Sequence, residues 1–447
     1  MTIPGPAKGS LKVGAAFLQT LVTQVAQSAA SILTGILIAR GLGPAGQGRY
    51  AVVAAAVALG VIFASLGQFE GNVLSSAGVA ASGRPLLMRS WLQSSTVGFI
   101  LLLTVPLWHN RLGVADAWIP VAFTVVLALE IEAQLVRGIN LGQHHIASYN
   151  LITLVQRFAY LTAVVTLRVV GLLRLQTVLA AWAGAAMLSQ AVASAWVWVR
   201  SGKAPVSLRG MTHGLKRDLR RGARALITIS ATLLLVRCDI WMLGPMLGVR
   251  FVGQMSVAST LAEWLWYVPS ILGNVLFAAG AGDRTRIAVR ISRASRAVVT
   301  LILPALVILE VVGRRLVPTI YGAAYGDAGV LFVILLPGMA AVAVHLVVDS
   351  YFSGKGFPAV SIWGAIGALG AKAGLNLIAI PLWGAPGAAM VTTAVYTSLL
   401  FFKVFFFTRE TGVSVRALIV PTWNETRETM GTAWLWATGL VKRAPAH

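Results

Sequence analysis

The sequence predicts an all-α polytopic membrane protein of about 12 transmembrane helices, in two six-helix bundles around a central cavity. Three observations predict it. Apolar stretches recur along the chain, at 13–39, 50–71, 88–108, 117–136, 150–167, 175–199, 223–246, 251–278, 297–313, 328–352, 358–381 and 385–407. Charged residues make up only 11% of the chain, and mean hydropathy is +0.80. The basic residues crowd into alternate gaps, with eight in 200–224 and five in 284–296.

Each observation has a physical basis. A helix crossing a hydrocarbon core about 30 Å thick needs roughly 20 residues, and most of the stretches supply them. An apolar helix satisfies its own backbone, so lipid tolerates it. Basic loops stay on the cytoplasmic side. Both termini are therefore expected inside, in a multi-pass protein of the plasma (cytoplasmic) membrane. The first stretch is rich in Gln and Thr and longer than a signal-peptide core, so it reads as a retained helix.

The net charge of +22 is read as loop charge beside helices, attractive to anionic lipids and not to nucleic acid. The single cysteine, Cys238, lies inside a stretch and excludes an intramolecular disulfide.

Weak internal repetition divides the chain. Gly184-Ala-Ala-Met187 recurs as Gly387-Ala-Ala-Met390, Leu42-Gly-Pro44 as Leu243-Gly-Pro245, and Gly142 as Gly354. The offsets pair span n with span n+6, the pattern of two halves in one orientation. The first bundle is expected over 1–200 and a basic cytoplasmic linker over 201–222. The second bundle is expected over 223–410 and a cytoplasmic tail over 411–447. Trp423, Trp434 and Trp436, with Arg427, Lys442 and Arg443, suit a tail helix lying at the membrane surface.

Polar residues inside the stretches mark the candidate site. Gln24 and Gln27 lie on a stripe of the first stretch with Thr20, Thr23, Ser31 and Thr34. Glu263 lies on a stripe of the eighth with Ser256, Ser259, Thr260, Tyr267 and Ser270. Glu130 shares a face with Gln134 and Arg137, Asp349 follows His345 by one turn, and Asn376 follows Lys372 by one turn. A charge in lipid costs at least about 2.5 kcal/mol, so these groups are expected to face protein or water. Arg40, Arg237, Lys372, Gln24, Gln27 and Asn376 are the candidates for a substrate cavity. Arg40, near a helix end, also suits snorkelling to the interface. Glu130, Asp239, Glu263 and Asp349 are the candidates for pairing with cations or for ion coupling.

Other motifs lead nowhere. The glycine pattern Gly41-Leu-Gly43-Pro-Ala-Gly46 follows a membrane stretch and not a strand, which argues against a dinucleotide site. There is no phosphate-binding Gly-Lys-Ser/Thr loop. His144-His145 lacks further ligands, and Asn424-Glu-Thr426 falls in the expected cytoplasmic tail. No cofactor, metal or catalytic residue is expected.

The segment Ile38-Ala-Arg-Gly-Leu-Gly-Pro-Ala-Gly-Gln-Gly-Arg-Tyr50 resembles the first loop of the oligosaccharide flippases (Wzx-type) of the MOP transporter superfamily. Arg237-Cys-Asp239 through Gly253, Tyr321 through Leu331, and Asn376 through Ala389 resemble three further segments of that family, in the family's order. Met255 departs from the usual Tyr. The resemblance covers 11–410. It implies a flippase that moves a polyprenyl-diphosphate-linked oligosaccharide from the cytoplasmic to the outer leaflet by alternating access. Polysaccharide polymerase and glycosyltransferases are its implied neighbours. A lipid II flippase or multidrug exporter of the same superfamily is the near alternative. A polytopic glycan polymerase or glycosyltransferase is the distant one, because the outer loops are too short to carry a catalytic site.

Overall fold

The computed structural model describes residues 7–65, 68–76, 83–112, 118–143, 145–200, 208–267, 269–270, 272–273, 284–353, 359–427 and 430–431. Two compact units divide the chain, Met1–Ser230 and Ala231–His447. Among the described residues all regular structure is helical.

In the first unit the helices are α1 (Ala7–Ser65), α2 (Gln68–Ser76), α3 (Gly83–Leu112), α4 (Trp118–Gly142), α5 (Ile146–Val169) and α6 (Leu175–Arg200). α7 (Leu208–Leu247) carries the chain into the second unit. That unit adds α8 (Val249–Ala262), α9 (Arg284–Tyr321), α10 (Gly326–Ser353), α11 (Ala359–Thr411) and a short α12 (Val415–Ile419).

A straight helix of 59 residues would reach about 88 Å, far beyond a bilayer. α1 does not run straight. Gly43 leaves the helical region at φ 65° and ψ 177°, just before Pro44. Proline has no N–H to donate and crowds the preceding turn, and glycine takes the left-handed φ without penalty. Two apolar stretches thus share one helix with a bend. α11 does the same at Gly384 (φ 64°, ψ −147°), between Pro381 and Pro386.

Nine described helical segments are long and apolar enough to cross a membrane, and these two bent ones hold two stretches each. The eighth stretch differs from the continuous helix expected of it. Its α-helix lasts 14 residues and passes into a 3-10 turn at Glu263–Trp266. The basic segment is helical from Leu208 and continuous with the seventh stretch.

α4 packs against α1, α2, α3, α5 and α6 and forms the centre of the first unit. Its Ile131, Leu135, Val136 and Ile139 are buried. In the second unit α10 is the centre, packed on α8, α9 and α11. Val347, Val348, Phe352, Val404 and Phe407 form its core, and Leu418 of α12 joins them. The outer faces are apolar too. Val307, Ile308 and Val311 of α9, and Leu377, Ile378 and Leu382 of α11, are all more than 60% exposed. Apolar surface on this scale calls for a lipid solvent.

The repetition read in the sequence has counterparts in conformation. Positive-φ glycines close the first apolar stretch of each half (Gly43 and Gly248) and the fifth (Gly171 and Gly384). Ala185-Ala186 and Ala388-Ala389 are buried in both copies, while Met187 and Met390 are exposed in both.

Candidate functional site

The second unit is organised around Asp239. α7 supplies the carboxylate. The first leg of α11 supplies Lys372 and Asn376, one turn apart, and its second leg supplies Thr392 and Tyr396, also one turn apart. Lys372 Nζ lies 2.7 Å from Asp239 Oδ2. Asn376 Nδ2 donates to Oδ1 at 2.9 Å, and Thr392 Oγ1 donates to Oδ2 at 2.9 Å. The ammonium also donates to the Leu235 carbonyl at 3.0 Å and sits 5.2 Å from the Tyr396 ring centroid. The side chains of Lys372 and Asp239 are 0% and 5% exposed. A buried charge survives only when paired and hydrogen-bonded, and both charges here are. The structure thus brings three expected residues together, but Lys372 presents no charge to solvent.

Arg237, two residues earlier on α7, holds Glu263 instead. Its Nη1 is 2.9 Å from Oε1 and its Nη2 donates to Oε2 at 3.4 Å. The two side chains remain 26% and 16% exposed. Arg237 lies about 16 Å along the helix from Leu226, near the middle of a hydrocarbon core. A charged group at that depth faces protein or water and not lipid. This pair is therefore the part of the site that remains open to a polar ligand.

A second pair lies on α10 and the far end of α11, its ammonium buried and its carboxylate 28% exposed. Lys403 Nζ is 2.5 Å from Asp349 Oδ1 and donates to Ser361 Oγ at 2.7 Å. Ser353 Oγ donates to Asp349 Oδ2 at 3.3 Å. The ammonium sits 4.8 Å from the Phe352 ring centroid.

In the first unit Glu130 accepts from Gln156 Nε2 at 2.6 Å and from Trp182 Nε1 at 2.8 Å. Arg137 Nη1 donates to Gln156 Oε1 at 3.3 Å, so a glutamine bridges the carboxylate and the guanidinium. Tyr160 donates to Tyr50 nearby. Gln24 and Gln27 are half-buried on α1, and Arg40 is exposed near its bend. Ser31 and Thr34 of that stripe spend their hydroxyls on carbonyls of their own helix. The side chain of Thr20 lies outside the described residues.

All four candidate acids thus have partners, and three of those partners are cations. Sequence reasoning missed Lys403, Thr392, Tyr396, Gln156 and Trp182. Lys403 falls within the last apolar stretch, 385–407, and its side chain is only 3% exposed. Among the described residues no three His, Cys, Asp or Glu gather as metal ligands. What the arrangement does chemically is hold paired charge within the apolar stretches, with the Lys372–Asp239 pair sealed and the Arg237–Glu263 and Lys403–Asp349 pairs each partly exposed.

No protein-family model matches the chain, and neither does any curated protein. Solved structures do. One is an inward-facing multidrug resistance MATE family transporter of the MOP superfamily, with a TM-score of 0.70 at 13% identity over 86% of this chain and 94% of that one. Another is the lipid II flippase MurJ in an inward closed conformation, with a TM-score of 0.67 at 10% identity over 95% and 94%. A MOP superfamily transporter from Pyrococcus furiosus gives 0.61 at 16% identity over 89% and 94%. The chain shares the helical membrane fold of transporters of the MOP superfamily.

Proposed function

We propose that the protein is a flippase that carries a polyprenyl-diphosphate-linked oligosaccharide from the cytoplasmic to the outer leaflet. The observation that carries this reading is the part-exposed Arg237–Glu263 pair deep in a span. It occurs in a fold shared with a lipid II flippase over 95% of this chain. A glycan diphosphate cannot cross hydrocarbon unaided. A guanidinium offers it the planar, bidentate donor set that phosphate oxygens accept. The lipid tail stays in the bilayer while the polar head passes along the protein interior. Four segments resembling oligosaccharide flippases favour a glycan cargo over lipid II. The fold likeness to a multidrug MATE transporter supports a small-molecule exporter as the second reading.

In this reading Arg237 meets the diphosphate, while Lys372 and Asn376 fix Asp239 and hold the surrounding helices. Arg40, Gln24 and Gln27 line the path in the first unit. The driving force is lipid flux, membrane potential or an ion, with Glu263, Asp239, Asp349 and Glu130 as the acids available for coupling. The protein sits in the cytoplasmic membrane with both termini inside, close to anionic lipid and to the enzymes that build and polymerise the glycan.

The test is translocation of a fluorescent polyprenyl-diphosphate oligosaccharide in proteoliposomes, read by quenching from outside. Arg237→Gln is expected to lower the rate at least tenfold at matched protein level. An unchanged rate would remove Arg237 from the path. Export of cationic dyes without movement of the lipid would favour the second reading. Orientation is tested separately, with Arg111→Cys and Arg209→Cys each in a Cys238→Ser background. An impermeant thiol reagent on intact cells should label position 111 and spare 209.

A further inference from the structure

One cation inside the spans differs from the rest. Arg89, Arg137, Arg237, Lys372 and Lys403 each hold a side-chain partner. Arg157 of α5 does not. Among the described residues its guanidinium makes no hydrogen bond or ion pair, and the residue is exposed. α5 runs from Ile146 to Val169. Arg157 therefore lies about 16 Å along the helix from one end and about 18 Å from the other, too far for its stem to reach either interface.

The face it occupies is not the lipid face. Tyr160 and Val164 follow at i+3 and i+7, on the same side of the helix. Both are buried in a cluster with Ile38 of α1 and Val178 of α6. Phe158 and Val165, roughly 80–100° round the helix, are the exposed apolar residues. Arg157 thus continues a surface turned toward protein. Its exposure there is exposure to water, since a charge in lipid costs at least about 2.5 kcal/mol.

The surroundings leave this charge uncompensated. Tyr50, Tyr160 and Arg137 are near enough to feel it, and all lie in the first unit. Glu130 is already engaged by Gln156 and Trp182, and Arg137 offsets its charge through the same glutamine. Tyr50 accepts the Tyr160 hydroxyl hydrogen at 3.3 Å. Its own O–H is left to donate, and no described residue takes it. A guanidinium and a phenol thus stand without acceptors in one neighbourhood.

We propose that Arg157, with the Tyr50 hydroxyl, binds an oxyanion of the transported molecule. The planar fork of a guanidinium matches the oxygens of a phosphate or a carboxylate, and the phenol adds a further donor. The identity of the ligand rests on the flippase reading, in which the oxyanion is the lipid's diphosphate or the carboxylate of an acidic sugar.

The full-length protein in lipid nanodiscs is tested in two ways. Arg157→Cys in a Cys238→Ser background is treated with a water-soluble sulfonate thiol reagent, and rapid modification is expected. Equilibrium binding is then measured for inorganic pyrophosphate and for radiolabelled polyprenyl diphosphate, bare or carrying glucose or glucuronate. Arg157→Gln should weaken binding about tenfold, the scale of one charge-assisted hydrogen bond. Arg157→Lys should fall between it and the parent, and Tyr50→Phe should lose about threefold. A loss common to all four ligands assigns the diphosphate. A loss confined to the glucuronate form assigns the sugar carboxylate. Because Arg157 bonds no described residue, Arg157→Gln should melt within about 2 °C of the parent. The site is overturned by an unreactive Arg157→Cys, by parent-like binding of every ligand in Arg157→Gln, or by a melting loss of several degrees in that variant. Translocation by the parent is followed in parallel. Translocation with unchanged binding in Arg157→Gln keeps the flippase reading and sinks the site. An Arg157-dependent pyrophosphate affinity without translocation does the reverse.

Discussion

Removing the Lys372 ammonium isolates the cost of an unpaired charge inside the second unit. Lys372→Met keeps the length and volume of the side chain. It leaves Asp239 fully buried with two remaining donors, Asn376 and Thr392. Breaking a buried pair from one side costs about 3–5 kcal/mol, because the partner keeps its desolvation penalty and loses its compensation. For a unit of this size each kcal/mol lowers the melting midpoint by about 2–4 °C, so a fall of roughly 10 °C is expected. Asp239→Asn alone should cost a comparable amount, since it strands the ammonium. The double variant Lys372→Met with Asp239→Asn should recover most of the loss, because neither partner is then charged. The assay is thermal unfolding in detergent, followed by tryptophan fluorescence, for the parent and the three variants. A Lys372→Met protein that melts within about 2 °C of the parent, or a double variant as unstable as the two singles added, would refute the account.

The tail offers a pH-dependent contact. Arg296 grips Glu425 through Nε at 2.8 Å and Nη2 at 2.6 Å, and its Nη1 donates to the Ala417 carbonyl. This bonding, chiefly that to Arg296 and then the Thr422 N–H, holds the Glu425 carboxyl down to about 2. A depressed carboxylate stabilises above its unfolded value and loses that contribution as pH falls toward the folded one. The contact should therefore loosen between about pH 4.5 and 2, and a spin label at Thr422→Cys in Cys238→Ser should gain mobility over that window. Arg296→Ala should mobilise the label already at pH 7. The two copies of the Gly-Ala-Ala-Met segment should respond oppositely to a methyl group. A Cβ at Gly387 would clash with the Ala379 carbonyl oxygen, while one at Gly184 meets nothing within 4 Å. Gly387→Ala should lower the melting midpoint by several degrees and Gly184→Ala should not. Glu263→Gln and Arg237→Gln should each slow translocation, and the double variant should be slower than the parent by less than the product of the two effects.

Much of this molecule is legible in its sequence because the bilayer imposes length and polarity together. The apolar stretches emerge as helices, and the bends at Gly43 and Gly384 follow from glycine within three residues of proline. The 3-10 turn does not announce itself, since Glu-Trp-Leu-Trp is as compatible with an α-helix. Candidate residues were found by their cost in lipid, which marks a charge as significant without naming its partner. Asp239 and Asn376 stand 137 positions apart, a separation that helical periodicity does not connect. Lys403 lies four residues from the end of its stretch, where a long side chain can reach water, and only packing against α10 shows that it is buried.

The pairing of Asp239 with a residue on α11 also constrains how the chain enters its membrane. Synthesis at about 5–20 residues per second leaves roughly 7–27 s between the emergence of Asp239 and that of Asn376. Throughout that interval the acid on α7 is in or near the bilayer without Lys372, Asn376 or Thr392. Asp349 waits likewise for Lys403, 54 residues later. Both acids are neutralised by one late helix, so insertion of α11 completes the second unit. A nascent chain that stops before α11 carries two unmatched carboxylates, a state that membrane quality control can distinguish from the finished protein.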